Sequence, residues 1–272
     1  MKIYNKKYTL SSVRLHLLYI TIKRRYFAYF FFLLISAVLY RFQIDSKKLT
    51  YHKFDGIELY VPLYMGAYFI LREIFIDDIY KPLIWCKHIL DVWAYIWESA
   101  LYLASHGARV SAYEMSRQLY TLALLNTQNN DRISLYYWAV VSNNTAGVSA
   151  ESIHIYDNWG FVRPASGGTI PTYNILDILS GDAFDGIKID IEWAEYEIVP
   201  VILDAWLFTF TRWIIEFHDI KNTNNNRMIC LFLEFLENSW YIWTWWDNYW
   251  CNVSLADIKQ AKNNIVNIYF EK

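Results

Sequence analysis

The chain has 272 residues and a mass of 32.5 kDa, with 55% hydrophobic and 19% charged residues. That apolar share excludes a disordered or fibrous chain, and the length suits one large α/β domain carrying an extension. With 25 basic and 27 acidic residues, net charge -2, the chain lacks the electrostatic footprint of a nucleic-acid binder, and no such partner is expected. One count is unusual: 13 Trp outnumber 9 Gly, although Gly is ordinarily among the commonest residues. Cys86, Cys230 and Cys251 show no Cys-x-x-Cys spacing. They suggest neither a disulfide framework nor a zinc site, and a reducing compartment suits them.

Residues 1–55 read as a basic, aromatic, helical N-terminal extension, and residues 56–272 as the main domain. Lys23, Arg24 and Arg25 precede an apolar run from Tyr26 to Tyr40, closed by Arg41. A spanning helix needs roughly 20 apolar residues, so this run is short, and no small-residue cleavage site follows it. The expectation is a helix packed on the main domain or lying at a membrane surface through residues 24–41, on a cytoplasmic protein. From Phe54 to Leu83 the alternation of apolar and polar residues, with the turn signal Asp55-Gly56, predicts a short β element.

Strand and helix then alternate. His88–Trp93 is an apolar run suited to a strand buried on both faces. Ser99–His106 follows as a helix, closed by Gly107 where a left-handed cap belongs. Arg109–Tyr113 is the second strand, and Ser116 caps a helix with Leu119, Leu122, Ala123 and Leu125 at helical spacing. Ile133–Val141 reads as a third strand. Residues 142–175 read as a polar loop with a hairpin around Val148–Tyr156. Ile187–Ile191 is a fourth strand followed by a helix over Ala194–Leu203. Trp213–Phe217 is a fifth, followed by a helix over Met228–Asn238, with Tyr241–Trp246 and Ile265–Phe270 as closing strands. This alternation implies a mainly parallel sheet whose ligand lies beyond the carboxyl ends of the strands.

At that edge the first strand runs into Asp91-Val92-Trp93-Ala94-Tyr95-Ile96-Trp97-Glu98-Ser99, and the second ends in Glu114. An acidic residue about 20 positions past the first turn suits a nucleoside ribose, accepting from both hydroxyls. The segment from Leu90 to Asn126 closely resembles the start of the FkbM-type S-adenosylmethionine-dependent methyltransferases. Their pattern is like Asp-Val-Gly-Ala-Asn-Ile-Gly-Glu, then a helix and a strand ending in Glu-Pro. Ile175–Leu179, Lys188-Ile189-Asp190-Ile191-Glu192-Trp193-Ala194-Glu195 and Ile214-Ile215-Glu216-Phe217-His218 extend the likeness. It covers about residues 75–247, and several ordered motifs make it specific. The resemblance implies a class I methyltransferase (Rossmann-like) α/β fold, a mainly parallel sheet flanked by helices with an N-terminal helical extension. It implies S-adenosyl-L-methionine as cofactor, with Asp91 and the turn Trp93, Ala94, Tyr95 and Trp97 at the methionine part. Ser99 and Met115 would stand alongside, and Glu114 would hold the ribose. It also implies O-methylation of a sugar, glycan or other small metabolite.

The chain departs from that pattern systematically. Trp93, Trp97 and Trp193 stand where the family has Gly, and Trp240 stands in a Ser-Trp-Tyr turn where Ser-Gly-Tyr is usual. Each exchange adds an indole in space the cofactor needs and penalises positive φ. Overpacking alone costs roughly 1–3 kcal/mol per site. Three origins are open: a decayed or repurposed homologue, a deliberate block, or a coding sequence whose source reads a stop-type codon as Gly. Asp91, Glu114, Asp190 and Glu192 are intact, which random decay does not explain.

Methyl transfer to oxygen needs alignment and often a base. Asp190 and Glu192 alternate on one face at the end of the fourth strand, as Glu216 and His218 do at the end of the fifth. These four are the catalytic candidates, with Glu192 or His218 as base. A divalent cation on carboxylates and imidazole could orient a sugar diol. The competing reading is that Asp190 and Glu192 cap the next helix and Lys188 pairs with one of them. His16, His52, His88, His106 and His154 read as surface or core residues. A non-catalytic methyltransferase-fold relative with a binding or scaffold role is the alternative; the positions of the Trp93 and Trp97 indoles discriminate.

Overall fold

The computed structural model describes residues 49–54, 56–62, 70–71, 73–75, 77–143, 148–151, 161–164, 170–191, 194–205, 212–239, 242–247 and 265–271. The expected helix and membrane contact in residues 1–48, together with Glu192, Trp193 and Trp240, lie outside them. Among the described residues no helix is long and apolar enough to cross a membrane. The chain forms two compact units, Met1–Asp78 and Ile79–Lys272.

In the first unit β1 (Leu49–Phe54) and β2 (Ile57–Pro62) form an antiparallel hairpin in register from Phe54↔Ile57 to Leu49↔Pro62. The final residues of the predicted helical extension are therefore strand, because Gly56 at φ 89° turns the chain back on itself. Ile57, Leu59 and Val61 are buried and alternate with exposed Glu58 and Tyr60, the period of a one-faced strand.

The second unit is built on a seven-stranded sheet. Its strands are β3 (His88–Val92), β4 (Arg109–Tyr113), β5 (Ile133–Tyr136), β10 (Gly186–Ile189), β11 (Arg212–His218), β12 (Ile242–Asp247) and β13 (Ile265–Glu271). The order is β12-β13-β11-β10-β3-β4-β5. β5, β4, β3, β10 and β11 are mutually parallel, while β13 runs antiparallel to both β11 and β12. The chain starts at the middle of the sheet, winds outward to β5, returns to β10 and β11, and closes with a reversed strand. This is the class I methyltransferase fold.

Local sequence sets the helices. α1 (Glu98–Ser105) ends at Gly107, φ 99°, and α2 (Arg117–Thr127) begins at Ser116, whose Oγ accepts from the Leu119 amide at 3.4 Å. α3 (Ile175–Gly181), α4 (Glu195–Asp204) and α5 (Thr223–Asn238) bury apolar stripes such as Ile175, Ile178 and Leu179 or Ile229, Phe232 and Leu233. These stripes pack with Leu90, Val92, Ile187, Ile189, Trp213, Ile215 and Phe217, one face of the central strands. The opposite face of the same strands carries Asp91, Lys188, Glu216 and His218, by period-two alternation.

Three expectations are corrected. Ile133–Val141 is two strands, β5 and β6 (Ala139–Val141). β5 ends where the Glu114 amide bonds the Tyr136 carbonyl, and the chain then changes partner: β6 pairs in parallel with β9 (Thr172–Asn174). The predicted hairpin pairs β7 (Val148–Glu151) with β8 (Phe161–Pro164), so its return strand lies beyond Tyr156. α5 begins five residues before Met228, because Asn222 caps it by accepting from the Asn224 amide at 3.0 Å.

Candidate active site

The carboxyl edge of β3, β4, β10 and β11 gathers the predicted residues. Asp91 is fully buried near the end of β3, directly across from Lys188 in the parallel register of β10. Lys188 Nζ lies 3.0 Å from Asp91 Oδ1, and the Ser99 hydroxyl donates to Asp91 Oδ2 at 2.6 Å. Lys188 Nζ also donates to the Trp93 carbonyl at 2.9 Å and lies 3.6 Å from Asp190 Oδ2. Burial works against the Lys188 charge, but the Asp91 and Asp190 carboxylates outweigh it and raise the ammonium above its ordinary range. Lys188 thus ties the first turn to the fourth strand, a role the sequence reading gave only as a pairing with Asp190 or Glu192.

The turn from Trp93 to Trp97 is organised by its main chain. The Trp93 and Ala94 amides both donate to the Tyr113 carbonyl, at 3.0 and 3.1 Å, and the Trp97 amide donates to Ala94 at 2.8 Å. Glu114, just past β4, accepts from the Tyr95 amide at 3.0 Å and from the Ser116 amide at 2.7 Å. Burial pushes the Glu114 carboxyl up to about 8 despite these donors. Glu98, opening α1, is also driven by burial to about 8. Among the described residues its two buried oxygens reach no hydrogen-bond partner beyond its own amide. The motif reading quoted Glu98 but assigned it no role; its place at the end of the Asp91–Glu98 pattern was the available signal.

Trp93, Tyr95 and Trp97 take φ of 68°, 53° and 78°, the left-handed region. The Trp97 side chain is wholly buried, and its indole N–H finds no hydrogen-bond partner among the described residues. Trp93 packs against the core and lines a cavity with Val92, Tyr113, Met115, Trp138 and Ile191. Neither indole has turned outward. The cavity measures about 10 Å³. A single water needs roughly 10–15 Å³ on that measure, so an adenosyl group has no room here. The carboxylates therefore fit a nucleoside with a cationic tail, whereas the two tryptophans do not. Beside the cavity, Tyr113 stacks on Tyr136 at 4.8 Å and Tyr136 on Trp138 at 5.7 Å, a flat aromatic wall.

On the neighbouring strand ends, Asp190, Glu216 and His218 offer ligand atoms within 4.8 Å of one another. His218 Nε2 lies 3.6 Å from Glu216 Oε1 and 3.9 Å from Asp190 Oδ1. Its other ring nitrogen, Nδ1, is 3.0 Å from the buried Glu195 carboxylate, which also accepts from the His218 amide at 2.7 Å. Glu195 opens α4 and thereby orients the imidazole, a residue the motif reading quoted but assigned no role. Asp190 does not cap that helix: the N-cap is Ala194, with no side-chain cap bond. His88 bonds Ser111 in the core at 3.0 Å and His106 packs on Tyr102, in line with structural roles.

No protein-family model matches the chain, and no curated protein matches it in sequence. Solved structures do. An O-methyltransferase from Bacillus cereus, crystallised with SAH, is 16% identical over 72% of this chain and 78% of its own, with a TM-score of 0.42. The methyltransferase FkbM from Methylobacillus flagellatus is 19% identical over 68% of this chain and 43% of its own, with a TM-score of 0.43. The O-methyltransferase TomG from Streptomyces achromogenes, involved in tomaymycin synthesis and solved with SAM, is 13% identical over 71% of this chain and 77% of its own, TM-score 0.41. The strand order of this chain stands independently of them.

Proposed function

We propose that this chain carries the site of an S-adenosylmethionine-dependent methyltransferase acting on an oxygen of a sugar, glycan or other small metabolite, a site that Trp93 and Trp97 close in the chain as written. The observation that carries the reading is the division of the carboxyl edge into two polar halves joined by Lys188. Asp91, Ser99, Glu98 and Glu114 surround the first turn, and Asp190, Glu216 and His218 occupy the ends of β10 and β11. When bound, the cofactor would supply an electrophilic methyl group on a cationic sulfur.

The residues of the chain do the rest. Glu114 would take the ribose hydroxyls, and the aromatic rings of Tyr113, Tyr136 and Trp138 would lie along a flat base. Asp91 and Lys188 fix the turn, with Ala94, Tyr95, Ser99 and Met115 about it. With Glu195 fixing the Nδ1 side, His218 presents Nε2 to the acceptor half, where it can take a hydroxyl proton. Glu192 belongs to this set on its spacing alone. A divalent cation on Asp190, Glu216 and His218 would instead hold two acceptor oxygens at once. Residues 24–41 would keep the protein at a membrane surface, near lipid-linked acceptors.

The test is calorimetric titration with S-adenosylmethionine of the chain as written and of a form carrying Trp93→Gly, Trp97→Gly and Trp193→Gly. Binding by the substituted form, abolished by adding Asp91→Asn or Glu114→Gln, supports the reading. A folded substituted form that binds nothing overturns it.

A further inference from the structure

The first turn is specified by contacts in which neither indole takes part. The Tyr113 carbonyl accepts from the Trp93 and Ala94 amides, Lys188 donates to the Trp93 carbonyl, and Glu114 accepts from the Tyr95 amide. These bonds fix a left-handed backbone at both 93 and 97, φ 68° and 78°. Only Gly enters that region without a steric penalty; other L-residues that visit it are chiefly Asn and Asp, and a bulky aromatic is an outlier. Two tryptophans four positions apart, both left-handed, are a sequence in conflict with its own main chain.

The side chains repeat the conflict. Trp97 is completely buried at a left-handed position, and Trp93 lines the cavity of about 10 Å³ at the sheet edge. Trp213 shows what an indole built into this core looks like. It too is wholly buried, but it sits in β11 and stacks on Phe270 with 5.5 Å between centroids and 13° between planes. The imbalance of 13 Trp to 9 Gly across the chain points the same way.

We propose that the functional protein carries glycine at positions 93 and 97, the two codons being read as glycine in the source cell. The backbone is left-handed at 93, 95 and 97 alike, φ 68°, 53° and 78°; the choice of 93 and 97 over Tyr95 rests on the motif resemblance behind the methyltransferase reading and on the excess of Trp over Gly.

The experiment is peptide sequencing by mass spectrometry of the protein isolated from its own source, over the tryptic segment His88–Arg109. Glycine at both positions is the expected result. Tryptophan at either position overturns the proposal there, whatever the protein binds. Glycine at both, with no S-adenosylmethionine bound by the isolated protein, sustains this proposal and defeats the functional one, so the two failures are distinct.

Discussion

Replacing Trp97 by Ala and, separately, by Gly isolates the backbone demand at the first turn. Both substitutions delete the same indole, so burial, cavity and the unsatisfied N–H change almost equally. They differ in one respect: Ala keeps a Cβ at φ 78°. A left-handed L-residue costs about 1–2 kcal/mol, so Trp97→Gly should be the more stable of the pair by that amount. Trp213, equally buried but extended in β11, supplies the control. There Gly should be the less stable by about 0.5–1 kcal/mol, since strand interiors penalise its freedom. Urea denaturation of the four variants reads both differences, and unchanged m values would confirm a common unfolded state. A second contrast follows. Removing a well-fitted Trp costs about 3–5 kcal/mol, the loss expected for Trp213→Ala. At Trp97 relief of left-handed strain, about 1–2 kcal/mol when Gly is supplied, offsets part of that loss. If Ala equals or exceeds Gly at 97, or if Trp97→Gly is as costly as Trp213→Ala, the strained-turn argument is wrong.

Other consequences are open to measurement. Glu98 titrates near 8 when folded against 4.5 in the free side chain, so its contribution is present in acid and lost as pH rises through that window. Glu98→Gln should therefore flatten the fall in stability between pH 5 and pH 9, by at most about 5 kcal/mol on the 1.36 kcal/mol per unit equivalence; an unchanged pH slope would refute the buried-acid assignment. Lys188→Met strands the Asp91 carboxylate and should cost about 3–5 kcal/mol, much of it recovered in the Lys188→Met/Asp91→Asn double variant. Additive losses in that cycle would mean the two groups are not coupled. Mn²⁺ binding followed by electron paramagnetic resonance should show a site lost in His218→Ala and weakened by Glu195→Gln through the second ring nitrogen; binding indifferent to His218 would place the ion elsewhere.

Much of the fold was legible because its signals are local. Ser116, Gly107 and the apolar run of β3 each act within a few residues, and α1, α2, β3 and β4 lie where those signals put them. The errors arise where partners far along the chain decide. Tyr137 and Trp138 look like continuing strand, yet the Pro171 carbonyl captures the Ala139 amide and diverts the chain to β9. The polar start of α5, Thr-Asn-Asn-Asn-Arg, conceals a capped helix whose apolar face begins only at Ile229. At the site, alternation along β10 and β11 foretold that Asp190, Glu216 and His218 would share a face. It could not foretell that Lys188 would choose Asp91, because that pairing depends on β3 and β10 being neighbours. Glycine deficit and motif position flagged Trp93 and Trp97, but only their φ values show that the backbone asks for glycine.

The measurement that bears most directly on the account is a crystal structure of the Trp93→Gly, Trp97→Gly, Trp193→Gly form with S-adenosylhomocysteine. The account predicts the ribose hydroxyls on Glu114, the base along the Tyr113–Tyr136–Trp138 wall, and the turn backbone unmoved at residues 93–97. A ligand bound elsewhere, or a turn that abandons its left-handed conformation once glycine is supplied, would contradict it.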